Sequence, residues 1–112
     1  MPREAAVLAK IGDIAGAKVV LEVYYCEVTV DPLSLGAEAG ASLDVTINGL
    51  APSDMVFVNP GAAVTANFII ASARVSGANV LTLTFANNNV AAGDAIDLGS
   101  STWKILVVRP VA

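Results

Sequence analysis

Histidine is absent from the 112 residues, and cysteine occurs once, at Cys26. These two shortages exclude whole classes of chemistry. Ser-His-Asp and Cys-His catalysis both need an imidazole. A zinc site of ordinary ligand count draws on His and Cys, which the chain cannot supply. A lone cysteine closes no intrachain disulfide, so nothing argues for an oxidising compartment. Cys26 reads as a small, buried apolar residue inside a strand. Charge is also scarce: charged residues make up 14% of the chain, against about 25% in an average soluble domain. The 6 basic and 10 acidic residues give a net charge of -4 and form no basic patch, so nucleic acid is not an expected partner. Long apolar runs are missing too. Lys10 and Asp13 interrupt the apolar start of the chain, which leaves it too short for a signal-peptide core. No run of about 18 apolar residues exists, so no transmembrane helix and no membrane partner are expected. The expected address is the cytosol of the producing cell.

What the chain does have is strand signal. Residues 19–30 are dense in Val, Tyr and Leu and stop at Asp31-Pro32, because proline cannot donate to a ladder. A Gly-, Ala- and Ser-rich loop follows over residues 33–41. Residues 42–48 then alternate: Leu43, Val45 and Ile47 take one face, Asp44, Thr46 and Asn48 the other, as in a half-buried strand. Residues 49–53 read as a turn and residues 54–59 as a strand closed by Pro60-Gly61. Residues 67–76 form a long strand, and residues 80–86 pair back across the short turn at 77–79, with Thr82 and Thr84 facing away from Leu81, Leu83 and Phe85. Residues 87–94 read as loop, and the last strand covers residues 102–109, ended by Pro110. No segment after Lys18 shows useful helical periodicity. The pattern predicts an all-β fold, an antiparallel β-sandwich with the jelly roll as one candidate form. Residues 19–112 would form the sandwich, and residues 1–18 an N-terminal arm or short helix at its periphery.

The apolar content, 55% of residues, exceeds what one sandwich core needs. Residues 68–71 (Phe68, Ile69, Ile70, Ala71) and 105–108 (Ile105, Leu106, Val107, Val108) are apolar on both faces. A two-layer sandwich hides one face of each strand. The other face needs a cover: a subunit interface, or the N-terminal segment folded back over it. Candidate interface residues are Phe68, Ile70, Arg74 and Trp103 in the strands, with Val7, Leu8, Ile11 and Ile14 in the N-terminal segment. Arg74 would serve as a salt-bridge partner. Trp103 suits a core edge or an interface.

Little else suggests chemistry. Asp94 and Asp97 lie close in sequence but lack the ligand density of a calcium loop, and turn formation accounts for them. Glu22 and Glu27 sit in a strand and read as solvated. No Gly-Lys-Ser/Thr phosphate loop occurs. Neither a cofactor nor enzymatic activity is expected.

The order of segments resembles a known family. Residues 49–60 run from a small turn through Asp54 and alternating valines to Asn59-Pro60. Residues 73–79 and 80–87, then Ala95-Ile96-Asp97, residues 99–104 through Trp103-Lys104, and the closing Val107-Val108-Arg109-Pro110 continue the likeness. Together they resemble capsid decoration (cement) or head-fibre proteins of tailed bacteriophages, over residues 28–110. The resemblance implies a β-sandwich, self-association as a trimer, and attachment to the major capsid protein on the capsid exterior after synthesis in the host cytoplasm. It implies no catalytic residues. A tail-fibre or spike module that binds a host glycan is the alternative; it would need an exposed aromatic cluster or a polar pocket.

Overall fold

The structure, a computed structural model, describes residues 6–8, 20–89 and 95–111. Seven strands are described: β1 (Ala6–Leu8), β2 (Val20–Val30), β3 (Gly40–Thr46), β4 (Met55–Asn59), β5 (Phe68–Gly77), β6 (Val80–Asn87) and β7 (Ser101–Val111). They form a four-stranded sheet, β1-β2-β7-β4, and a three-stranded sheet, β3-β6-β5. Every pairing is antiparallel. The two sheets pack as a β-sandwich, as the alternating sequence predicts. The chain changes sheet between β2 and β3, β3 and β4, β4 and β5, and β6 and β7. A jelly roll has eight strands; the described residues supply seven, one of them only three residues long.

The core is the set of inward-facing residues from both sheets. Leu81, Leu83 and Phe85 from β6 and Trp103, Ile105 and Val107 from β7 are almost wholly buried. Phe85 meets Trp103 edge to face across the interlayer space, with ring centroids 6.1 Å apart, and Phe68 flanks Phe85 at 5.3 Å. Such pairs add about 1 kcal/mol to the burial of the rings themselves. The Trp103 indole N–H donates to Ser101 Oγ at 3.0 Å, so its polar atom is satisfied inside the core.

Several boundaries differ from the sequence reading for identifiable reasons. Three residues of the N-terminal segment, Ala6–Leu8, pair with Val23, Glu22 and Leu21, so that segment contributes an edge strand. Strand β7 runs on through Pro110 to Val111 and does not end before the proline. Its β4 neighbour reaches only Val108, so beyond that point β7 is an edge, where the missing N–H is tolerated. Asn87 belongs to β6, where the reading placed a loop. It is buried, and its amide donates to Leu35 O at 3.0 Å. Strand β5 carries irregularities at Ala71 and Ser76. The first lets Phe68 and Ile70 face the core upstream while Ala73 and Val75 face it downstream.

Loops tie the two sheets together at one end. Asn79 takes a left-handed conformation (φ 66°) in the β5–β6 turn, which asparagine tolerates. Its Oδ1 accepts the Gly49 N–H at 2.7 Å, and its own N–H donates to Leu50 O at 3.0 Å. Arg109 of β7 closes the network. Its Nε–H and Nη2–H donate to the two carboxylate oxygens of Asp54, each at 2.7 Å, and Nη2–H also donates to Gly49 O at 2.8 Å. The same guanidinium lies over the Tyr24 ring, 5.1 Å from its centroid. The bidentate pair holds the Asp54 carboxyl below its ordinary range, assisted by the Ala51 N–H.

Candidate interaction face

Strand alternation gives each sheet an outer face, and the two are chemically different. On the four-stranded sheet the inward residues of β2, β7 and β4 include Cys26, Val28, Ile105, Val107, Val56 and Val58. The residues between them point outward, and the register sets them in cross-strand rows. Tyr25, Leu106 and Phe57 form one row. Val23, Val108 and Met55 form the next. Tyr25 is 51% exposed, Phe57 57%, Met55 47% and Leu106 39%. Four of the seven strongly exposed large apolar side chains of the described residues therefore lie on this one surface.

The apolar half ends abruptly. The following row is Glu27, Lys104 and Asn59, and beyond it lie Thr29 and Thr102, all exposed. The Tyr25 hydroxyl marks the border by donating to Glu27 Oε2 at 2.7 Å. That hydrogen bond to a carboxylate, with desolvation second, raises the Tyr25 phenol above its ordinary value. In the other direction the apolar half continues toward Leu21 and Pro110, which are partly exposed and opposite one another. The face is thus amphipathic along the strands, with the apolar half at the Arg109 end.

The three-stranded sheet shows the contrary. Its outward rows are Ser42, Thr84 and Ser72, then Asp44, Thr82 and Arg74. The hydroxyls bond to one another. Ser42 Oγ and Thr84 Oγ1 are 3.2 Å apart. Thr82 Oγ1 donates to Asp44 Oδ1 at 2.8 Å, so the 2.6 Å contact with Ser76 is donated by the serine. This is an ordinary wet sheet face, with Ile69 as the one large exposed apolar group on its strands.

The residues singled out from sequence fall in several places. Trp103 and Phe68 are turned into the chain's own core, and Ile70 packs against it; inward alternation on β7 and β5 puts them there. Arg74 is exposed, but on the polar face. Val7 and Leu8 belong to β1, while Ile11 and Ile14 lie outside the described residues, as does Asp94. Asp97 accepts the Gly99 N–H at 3.1 Å, a turn-forming role. No group of three or more potential metal ligands occurs among the described residues. Cys26 is half-buried, and burial pushes its thiol up, away from the reactive thiolate.

The apolar face draws on residues that the sequence reading did not choose as interface candidates: Val23, Tyr25, Met55 and Phe57. The two-sided run at 105–108 does locate its central strand. Its flanks needed the cross-strand register, which brings Tyr25 and Phe57 onto either side of Leu106. Comparison of the chain with protein-family models, with curated proteins and with solved structures finds no match in any of the three.

Proposed function

We propose that this chain is a non-enzymatic structural protein that works by surface association, as a decoration protein on the exterior of a bacteriophage capsid. One observation supports assembly above all: the outer face of the four-stranded sheet presents Tyr25, Met55, Phe57 and Leu106 together to solvent, where an isolated sandwich would place polar groups. The setting, a phage shell, rests on the resemblance in residues 28–110. Scarce charge suits it, because attachment over broad, nearly neutral surfaces depends on shape and apolar contact more than on salt-sensitive steering.

Co-sedimentation of the purified full chain with capsids stripped of accessory proteins tests this reading. The expected result is saturable binding that survives about 0.5 M salt, since screening weakens contacts between exposed charges far more than apolar ones. Absence of binding to assembled shells at any concentration overturns the decoration role.

A further inference from the structure

We infer that the outer face of the four-stranded sheet is a two-fold interface between two copies of this chain, with β7 lying along the axis. The proposal deepens the assembly reading by naming the face and the partner. It concerns the free protein, so it stands or fails separately from attachment to a shell.

The rows of the face carry the argument. Across β2, β7 and β4 they read Tyr25-Leu106-Phe57 and Val23-Val108-Met55. Each row has two side chains of similar character flanking a central aliphatic one. Rotation by 180° about a line parallel to β7 exchanges β2 with β4. It sets Tyr25 over Phe57 of the second copy, Val23 over Met55, and Leu106 over its own equivalent. An isologous contact needs this self-complementarity, in which one residue meets another and the second meets the first. Two antiparallel sheets stack about 10 Å apart with strands within about 30° of each other, which this rotation permits.

The polar row beside the patch is compatible with the same arrangement. Each copy brings one carboxylate, Glu27, and one ammonium, Lys104, directly opposite each other on neighbouring strands. Under the same rotation Lys104 lies over its own equivalent and Glu27 over Asn59 of the second copy, so this row is tolerated only as a solvated rim, where each ammonium is offset by the Glu27 beside it. Area sets the size class of the contact. Tyr25, Met55, Phe57 and Leu106 are each roughly half exposed; at about 100 Å² for half of a large side chain, with the partly exposed valines beside them, the patch is on the order of 500 Å² per copy, and a dimer would bury about 1,000 Å², near the lower limit for a specific interface. An interface of this size belongs with the weak, reversible ones, so the expected dimer dissociates on dilution. The symmetry favours two copies over the three that the resemblance implies. A ring of three needs two different complementary patches on each copy, and the three-stranded sheet offers a hydroxyl-rich face instead.

Sedimentation velocity of the full chain from about 1 to 100 μM tests the inference, with the dimer expected at twice the 11.3 kDa chain mass. Leu106→Arg, at the centre of the face, should weaken the dimer about 30-fold or more, as for a central interface residue. Phe57→Ser should also weaken it. Thr84→Arg, on the opposite face, should leave it unchanged. If Leu106→Arg fails to fold, Phe57→Ser decides, because that side chain is already more than half exposed. A wild-type monomer throughout the range, a trimer, or a dimer that persists in a folded Phe57→Ser protein overturns the proposal.

Discussion

The two outer faces of this sandwich are built by the same backbone rule and end up with opposite chemistry. On β6, Thr82 and Thr84 alternate with Leu81, Leu83 and Phe85, so one face is buried and the other is a hydroxyl ladder. On β7, Leu106 and Val108 alternate with Ile105 and Val107, so both faces are apolar and only the inner one is covered. Alternation fixes which residues face inward. It does not make the outward ones polar. An outward apolar residue gains only the partial cover of its cross-strand neighbours within the monomer and raises the risk of aggregation, and a row of them is what the proposed association would cover. The faces also differ in support. The apolar one belongs to the longer sheet, whose edge strand β4 is anchored by the turn after it and by the Arg109 clamp.

Gly61 provides the largest expected break in that contrast. It follows β4 and lies against the first residues of β7. A Cβ at this position would overlap the backbone carbonyl of Thr102, which cannot yield as a flexible side chain would. Gly61→Ala should therefore force the loop away from β7 and cost about 3 kcal/mol, at the upper end for overpacking. Urea unfolding followed by tryptophan fluorescence measures it, since Trp103 sits beneath the affected strands. A change under about 0.5 kcal/mol would show that the loop moves freely and that β4 is held by its ladder alone.

A smaller loss is expected at Asp54, which fixes the Arg109 end of the apolar face. Asp54→Asn keeps the size of the side chain but removes the charge that both guanidinium N–H groups meet. The Asp54 side chain is fully buried while Arg109 is 26% exposed, so the stranded arginine can reach water and the cost should be about 2 kcal/mol at pH 7, below that for a wholly buried pair. The pH dependence has a definite sign. Asp54 has its pKa lowered in the folded state, so its contribution is present above the unfolded carboxyl value of about 3.9 and is lost as pH falls through the folded one. The difference in unfolding free energy between wild type and Asp54→Asn should therefore shrink over the acid window that opens below that unfolded value. A difference that stays constant across that window would mean that Asp54 acts through shape and not through charge.

Local periodicity and cross-strand register divide what the sequence could reveal from what it could not. The sandwich was legible because alternation in residues 42–48 and 80–86 is a local property, and local periodicity follows directly from strand geometry. The excess of apolar surface was legible in the run Ile105 to Val108 for the same reason. The residues that complete the face were not, because Tyr25 and Phe57 are 32 positions apart and meet only through register with β7. Trp103 illustrates the converse. Its size and amphipathic ring fit an interface as well as a core, and only strand phase, set by Val107 and Ile105 on the same side, turns it inward. The Arg109–Asp54 pair, joining residues 55 apart, was invisible to any local pattern.

The smallest expected effect sharpens the comparison from the polar side. Thr82→Val replaces a hydroxyl in the middle of the three-stranded sheet with a methyl of nearly the same volume. The hydroxyl accepts from Ser76 and donates to Asp44, but both partners are exposed and can bond to water once it is gone. Net loss from such a hydrogen bond is about 0.5 kcal/mol at most, and valine's preference for strands offsets part of it. Thr82→Val should thus change monomer stability by less than about 0.5 kcal/mol, measured by thermal unfolding at low concentration. One apolar group in a wet row also does not make a patch, so the sedimentation coefficient should remain that of wild type. If a single valine here did promote association, the contrast between the faces would rest on how few polar groups separate them. If it left association unchanged while Phe57→Ser reduced it, the specific rows of the four-stranded sheet would carry assembly, and general hydrophobicity would not.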